Sequence, residues 1–376
     1  MKFILAGGGT GGHINPAIAI ANEIKAHQPD AEFLFVANPG GMEDTLVPKA
    51  GYPVAHIRMA GFYRGFTPSD ISHNLKTVSY VLTADHKARK ILKDFRPDAV
   101  IGTGGYLCGP IVMEAQKLHI PTFLHEQNAF PGVTIKLLSK KADLVFLAFA
   151  EAKAHLPTRR PCKVVGNPVR QEFLTVSRAE ARKKLGLDDS FTIFSVGGSS
   201  GANAINEMAA DIMAWHCKEG RINHIHGYGK HGRDSFPRML ADRGVDLTRY
   251  PRIQAREYID DMALWTAAAD LVISRAGAIT ISELEVTGKP SILVPYPYAA
   301  ENHQYHNAKV LEDHGAAILV EEKDYSKERL IARIEELYRN PEKLVELGKN
   351  AASLAAYDTT QRIYGELMKA LQAKRA

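Results

Sequence analysis

Five glycines in six residues, Gly7-Gly8-Gly9-Thr10-Gly11-Gly12, follow directly on the apolar stretch 3–6 and lead into His13. No other feature limits the fold of this chain so strongly. Glycine adopts positive φ at no steric cost and lets a backbone come close to another chain or to a ligand. A plain strand-to-helix turn needs one or two glycines, so this density points to a loop that meets a ligand. Gly7, Gly9 and Gly12 have the spacing Gly-x-Gly-x-x-Gly, which between a strand and a helix sets free helix N–H groups against an anion. The helix is expected to open near Pro16.

The rest of the chain repeats that plan. Residues 33–37, 99–101, 122–125 and 144–148 read as further strands, with helices over 75–92 and 109–118. Residues 155–161 carry two prolines and no hydrophobic period, which suits a domain boundary. The stretch 192–196 then opens a second round and runs into Gly197-Gly198-Ser199-Ser200-Gly201-Ala202. Strands over 271–274, 291–294 and 317–320 follow, and 359–374 reads as one long final helix. Short apolar runs alternating with amphipathic segments describe an α/β chain whose parallel sheets are covered by helices. We therefore expect two Rossmann-like, doubly wound parallel-sheet domains facing across a cleft, residues 1–160 and 164–358. Helix 359–376 is expected to pack back on the first, with a hinge near Pro157–Pro168. Ligands of such sheets sit beyond the carboxyl ends of the strands, where the glycine loops lie.

The first loop alone leaves the ligand open. A dinucleotide site places an Asp or Glu at the tip of the second strand to bind ribose hydroxyls. Here the strand runs into Ala37-Asn38-Pro39, with no acid at that point, which weighs against a nicotinamide or flavin enzyme. His13 is either a capping or core residue or a group for chemistry at the mouth of the loop. In the second loop Ser199 and Ser200 can cap the helix or donate to phosphate oxygens. Further on, Arg275-Ala276-Gly277-Ala278 precedes a helix with Thr280 and Glu283. Arg275 suits a phosphate and Glu283 suits ribose hydroxyls, though an acid near a helix N-terminus also needs no ligand.

Bulk properties narrow the class. A length of 376 residues, 45% hydrophobic and 24% charged, gives two ordinary globular domains and excludes a disordered or fibrous chain. The net charge of +5 comes with no nucleic-acid recognition module, so no nucleic-acid partner is expected. Cys108, Cys162 and Cys217 are odd in number and scattered, which suits reduced thiols of a cytosol and neither a disulfide framework nor a zinc site. The apolar start is too short for a signal peptide, and the longest apolar run, 144–150, is far below the roughly 20 residues that span a bilayer.

Three further clusters make the pattern specific. Residues 8–13, then Gly102-Thr103-Gly104-Gly105-Tyr106, then His125-Glu126-Gln127-Asn128 with Pro131-Gly132 are followed in order by Gly166-Asn167-Pro168-Val169-Arg170. The loop 197–202, Ser274-Arg275-Ala276-Gly277-Ala278, Ser282-Glu283 and Gln304-Tyr305-His306-Asn307-Ala308 continue the series. In this order, over nearly the whole chain, the sequence resembles the MurG family, inverting UDP-N-acetylglucosamine transferases of GT-B fold that convert lipid I to lipid II in bacterial peptidoglycan synthesis. The resemblance implies that the C-terminal half holds UDP-GlcNAc. Ile259 would meet uracil through its backbone, Glu283 the ribose, and Ser199 and Arg170 the diphosphate. Ala278, Ile279, Thr280, Ile281, Ser282 and Glu283 would line the nucleotide, and Gln304 would read the sugar hydroxyls. From the N-terminal half, Thr10, Gly11, Gly12 and Asn128 would close over GlcNAc and diphosphate, with Gly104, Gly105, Tyr106 and His125 on the acceptor side. Two positions depart from the family pattern: Ser200 stands where a glutamine is usual, and His303 where the first of two glutamines often stands.

The implied reaction is displacement at the anomeric carbon by the C4 hydroxyl of the MurNAc unit of lipid I. It needs a base for that hydroxyl and a partner for the leaving diphosphate. His13, titrating near neutrality, is the first candidate for the base and Glu126 the second. No Asp-x-Asp motif occurs, so helix N-termini, backbone N–H groups and Arg170 or Arg275 are expected to carry the charge, without metal or other cofactor. A lipid-anchored acceptor implies a peripheral position on the cytoplasmic face of the inner membrane. Lys76, Lys87, Arg89, Lys90, Lys93 and Arg96, interleaved with Leu75, Val78, Tyr80, Val81 and Leu82, suit an anionic lipid surface. The same pattern also fits an ordinary amphipathic helix with a solvated basic face. Competing readings are a UDP-GlcNAc epimerase, a transferase with a soluble acceptor, an NAD-dependent oxidoreductase, and a binding module without chemistry.

Overall fold

The structure is a computed structural model that describes residues 1–59, 67–218 and 220–375. In the helix Pro68–Phe95 the side chains of 68–79, 81 and 82 lie outside that description, and with them the expected roles of Leu75, Lys76, Val78, Val81 and Leu82. The chain divides into two compact units, Met1–Pro168 with the C-terminal stretch from Asp358, and Val169–Tyr357.

The first unit is built on seven parallel strands: β1 (Lys2–Gly7), β2 (Glu32–Ala37), β3 (Val54–His56), β4 (Ala99–Gly104), β5 (Thr122–Glu126), β6 (Leu144–Leu147) and β7 (Cys162–Val164). Their order is β3-β2-β1-β4-β5-β6-β7, so the sheet reverses direction of growth between β1 and β4. A crevice opens at such a switch point, and both N-terminal glycine loops flank it. β1 is apolar at successive positions because both sheet faces are covered. Phe3 and Leu5 enter a core with Ile14, Ile20 and Ile24 of the helix Gly11–His27. Ile4 and Ala6, pointing the other way, meet Ala88, Leu92 and Ile111. The helix Thr359–Arg375 returns to this unit: Ile363, Leu367 and Leu371 join the first core, and Thr359 Oγ1 donates to the Val165 carbonyl at 2.9 Å.

The second unit has β8 (Phe191–Val196), β9 (Ile222–Gly227), β10 (Ile253–Arg256), β11 (Leu271–Ser274), β12 (Ser291–Leu293) and β13 (Ile318–Leu319), again all parallel. The order β10-β9-β8-β11-β12-β13 repeats the switch, now between β8 and β11. Ile193, Ile273 and Ile292 pack against Ile205, Met208, Leu330 and Ile334 from covering helices.

Three expectations change. The first helix begins at Gly11, five residues before Pro16, which lies inside it and leaves the Gly12 carbonyl without an intrahelical donor. The boundary falls later than the prolines suggest, because β7 pairs with β6 from Val145–Cys162 to Leu147–Val164 and Val165 is buried in the first core. Gly166 and Asn167 are also tied down, through His125 and the Gln127 carbonyl. The expected hinge stretch is thus part of the first unit, and the chain crosses at Pro168–Val169 and again at Tyr357–Asp358. Finally, β3, β7, β9 and β10 were not among the expected strands.

Candidate active site

In the first unit, β1 delivers the chain into the glycine loop and the helix Gly11–His27 takes it away. Thr10 is the N-cap residue, extended and exposed, and its Oγ1 lies 3.3 Å from His13 Nδ1. Gly11 and Gly12 form the first turn, where helix N–H groups have no intrahelical acceptor. His13 Nδ1 stands 3.0 Å from the Gly8 carbonyl oxygen, and the His13 carbonyl accepts from Thr103 Oγ1 at 2.7 Å.

The loop after β4 fits against this one through two glycines. Gly105, at φ 77°, lies so close to the Gly8 carbonyl that any Cβ would collide with it. Gly104, at φ 102°, leaves the space that the His13 ring fills; a Cβ there would come within 2.9 Å of Cδ2 and 3.2 Å of Nε2. Tyr106 lays its ring edge against Gly9. His13, Thr10, Gly104, Gly105 and Tyr106 are therefore gathered in one place.

Glu126 and His125, at the end of β5, are placed otherwise than expected. Glu126 is only 2% exposed; Oε1 accepts from the Asn128 N–H at 2.9 Å and from Asn128 Nδ2 at 3.0 Å, and Oε2 accepts from the Gly132 N–H at 3.0 Å. Burial pushes its carboxyl above the usual range, and those N–H groups pull against that. It anchors the Asn128 loop and is not presented to a hydroxyl. His125 is fully buried, with Nε2 on the Gly166 carbonyl at 3.0 Å and Nδ1 on Gln127 Nε2 at 2.9 Å. Burial lowers its pKa to about 4, so it is a neutral core residue and not an acceptor-side group.

In the second unit the loop 197–202 leads from β8 into the helix Asn203–His216, with Ser199 exposed. Its backbone is held by the loop after β9: Lys230 N–H donates to the Ser199 carbonyl at 3.3 Å and His231 N–H to Ser200 at 3.0 Å. Ile259 is buried, its side chain packed over Gly227 at the end of β9. Arg170 reaches Glu283 in the helix Ala278–Val286 and stacks on Phe173 at 4.7 Å. Burial raises the Glu283 pKa and the Arg170 charge lowers it. Gln304, in the helix His303–Asp313, accepts the Tyr296 N–H on Oε1 at 2.9 Å, so its NH₂ end is the one left to donate elsewhere.

Two donor-side expectations are corrected. Arg275 is committed to its own unit: Nη1 lies 3.1 Å from the Val294 and Pro295 carbonyls and 2.5 Å from Glu322, and the guanidinium covers Tyr296. Ile281 is fully buried and offers no side chain to a ligand; in the same helix Ala278, Ser282 and Glu283 are also buried, and Ile279 and Thr280 are half-buried. Conversely, Glu43 shapes the first-unit site without any motif to announce it, and Thr103 and Gln127 shape it from within sequence clusters that assigned them no role. Glu43 is buried beneath the glycine loop and accepts the Gly9 N–H. Among the described residues no three His, Cys, Asp or Glu side chains gather as a metal ligand set.

Comparison with known proteins agrees with this architecture. Residues 3–147 match the glycosyltransferase family 28 N-terminal domain and residues 192–363 match its C-terminal domain. The UDP-N-acetylglucosamine–N-acetylmuramyl-(pentapeptide) pyrophosphoryl-undecaprenol N-acetylglucosamine transferase of Acetivibrio thermocellus is 42% identical over 100% of both chains. The crystal structure of Acinetobacter baumannii MurG is 31% identical and superposes with a TM-score of 0.79, covering 98% of this chain and 99% of that one. A UDP-GlcNAc 2-epimerase from Neisseria meningitidis reaches a TM-score of 0.69 at 15% identity, over 98% of this chain and 100% of that one, a likeness of fold alone. The chain belongs to the MurG family of UDP-N-acetylglucosamine–N-acetylmuramyl-(pentapeptide) pyrophosphoryl-undecaprenol N-acetylglucosamine transferases.

Proposed function

We propose that this chain transfers N-acetylglucosamine from UDP-GlcNAc to the C4 hydroxyl of the MurNAc unit of lipid I, giving lipid II, with His13 as the base. One observation carries the choice of base. The Gly8 carbonyl can only accept, so His13 Nδ1 bears the proton and Nε2 holds the lone pair. As the acceptor oxygen bonds to C1 of GlcNAc, its proton passes to Nε2. The bond from C1 to the β-phosphate oxygen breaks, and its electron pair leaves with UDP. Attack opposite the leaving group inverts C1.

The second unit holds the donor. Ser199 and the N–H groups at the start of the helix Asn203–His216 meet the diphosphate, where a helix N-terminus favours negative charge. Arg170 bridges Glu283 and the diphosphate, Glu283 takes the ribose hydroxyls, Gln304 the sugar hydroxyls, and the Ile259 backbone the uracil. Asn128, held by Glu126, and the first turn at Gly11 and Gly12 serve the sugar and diphosphate from the first unit.

The acceptor is a membrane lipid, so the enzyme works peripherally at the cytoplasmic face of the inner membrane. No helix among the described residues is long and apolar enough to cross a bilayer. Two surface features support contact with anionic lipid. The helix Val133–Ser139 exposes Val133 and Leu137 beside Lys136, Lys140 and Lys141. A cavity of about 480 Å³ is lined by His56, Arg58, Tyr80 and Lys87.

The test is transfer of labelled GlcNAc from UDP-GlcNAc to a detergent-solubilised lipid I analogue, with EDTA present and His13→Ala in parallel. Transfer should survive EDTA and fall by about 10²- to 10⁴-fold in the variant. A variant with wild-type kcat removes His13 from the chemistry. Wild type that binds UDP-GlcNAc but transfers nothing would favour the epimerase or soluble-acceptor reading.

A further inference from the structure

We propose that Glu43 is a positioning residue for His13, acting through the peptide bond between Gly8 and Gly9. The inference rests on His13 being the base. That one peptide unit is engaged at both ends: its N–H, from Gly9, donates to Glu43 Oε1, and its C=O, from Gly8, accepts from His13 Nδ1 at 3.0 Å. Carboxyl, peptide and imidazole form a single hydrogen-bonded line.

Glu43 stands in a first helical turn, where an acid suits the N-terminus, yet its carboxyl is turned inward onto the glycine loop. It is the first residue of the helix Glu43–Lys49, is 1% exposed, and makes no ion pair among the described residues. Its Oε2 is buried without a hydrogen-bond partner among them. A buried acceptor left so costs about 1–3 kcal/mol, which stability alone does not justify. The glycines around it clear its place: a Cβ at Gly8 or at Gly41 would collide with the carboxyl.

The chemistry follows from polarisation. A negative charge at the N–H end of a peptide drives electron density toward its carbonyl and makes that oxygen a stronger acceptor. The acceptor orients His13 with Nε2 as the basic nitrogen. When Nε2 takes the hydroxyl proton, the Nδ1–H bond becomes charge-assisted and Glu43 balances the new imidazolium. Of the other side chains placed against this loop, Thr10, Thr103, Leu107 and Gln127 are uncharged and Tyr106 is a phenol. Glu43 brings the carboxyl.

The experiment is a ¹⁵N-histidine NMR titration of the full chain, wild type against Glu43→Gln, with the His13 signals assigned by their loss in His13→Gln. Glutamine keeps the size and the acceptor oxygen but removes the charge. We expect Nδ1–H in wild type and a His13 pKa about one pH unit lower in Glu43→Gln. In the transfer assay the acid limb of kcat/KM should move by the same amount, with KM for UDP-GlcNAc changed less than about two-fold. An unchanged pKa and tautomer in Glu43→Gln overturns the proposal. Should that variant fail to fold, the wild-type spectrum decides: a proton on Nε2 overturns it, and one on Nδ1 supports it. Because the titration does not depend on turnover, it separates a failure of this coupling from a failure of His13 as base, which His13→Ala reports.

Discussion

Arg170 holds Glu283 with two nitrogens on one oxygen: Nε and Nη2 lie 3.1 and 3.0 Å from Oε1. Glu283 is 7% exposed, and a buried carboxyl tends to stay protonated. The guanidinium counters that tendency, though burial still leaves the carboxyl above its ordinary pKa; the proposed function has this group accept from ribose hydroxyls. Arg170→Ala should therefore weaken UDP by about ten-fold or more at neutral pH. With burial unopposed, the Glu283 pKa rises further, so the loss should deepen as pH falls, beginning at higher pH than in wild type. Calorimetric titration of UDP between pH 5.5 and 8 reads both effects. An affinity equal to wild type across that range would remove Arg170 from the donor site.

Glu126→Gln distinguishes an anchor from a base. In the native chain both oxygens accept from N–H groups of Asn128 and Gly132. A glutamine must present its NH₂ to one of those donors, leaving two donors face to face in a buried place. The expected result is a loss of about 2 kcal/mol in stability by chemical denaturation. Transfer should slow because Asn128 loses its hold, while the pH profile keeps its acid limb. A displaced limb with unchanged stability would restore Glu126 as an acid–base group.

How far the sequence could be read depended on what its residues had to satisfy. β1, β5, β8 and β11 were legible because apolar runs covered on both faces leave no other choice. β9 was not, since Ile222-Asn223-His224-Ile225-His226-Gly227 looks polar; only the structure reveals that its histidines are satisfied sideways by Ser195 and Asn206. β7 was hidden behind the two prolines that suggested a boundary. In the site, the glycine loops were legible because their φ angles and close approaches demand glycine, as at Gly104 and Gly105. Arg275 and His125 were misplaced because a side chain's partner depends on loops distant in sequence: Glu322 for one, Gly166 for the other. Glu43 was missed because an acid was sought at the strand tip, and it comes instead from the following helix.

The C-terminal helix belongs to the first unit through Ile363, Leu367 and Leu371, all buried in the core of β1 and the helix Gly11–His27. Leu367 is fully buried. Leu367→Ala should cost about 3 kcal/mol from lost burial and the cavity left behind. Urea unfolding followed by circular dichroism measures it. UDP affinity, which the proposed function assigns to the second unit, should stay at its wild-type value; a matching loss there would mean that the helix supports that unit as well.

Acid should loosen the second unit through a chain of buried histidines. Ser195 Oγ lies 2.8 Å from both His224 Nε2 and His226 Nδ1, His216 Nε2 lies 3.2 Å from His224 Nδ1, and His226 Nε2 lies 3.0 Å from Asn206 Oδ1. Asn206 Nδ2 in turn donates to the Tyr228 carbonyl at 3.2 Å, which fixes its oxygen toward His226. His226 Nδ1 also lies 3.1 Å from the Ser195 carbonyl, which can only accept. Between His216 Nε2 and His224 Nδ1 one nitrogen must accept, so protonating both of those rings sets two donors against each other. Burial accordingly holds His216 near pKa about 4, His226 near about 3, and His224 well below its ordinary value. Folded values below the unfolded one mean that the unfolded chain binds more protons, so stability is whole above about pH 6.5 and falls as pH drops toward 4. Each such histidine contributes a slope of about 1.4 kcal/mol per pH unit in that window. Both tryptophans, Trp215 and Trp265, lie in this unit, so their fluorescence during urea unfolding reports it. The midpoint should fall between pH 7 and 5, and His216→Gln should flatten that fall by removing the first titrating ring. A midpoint constant over this range in wild type would show that these buried rings take up protons without cost.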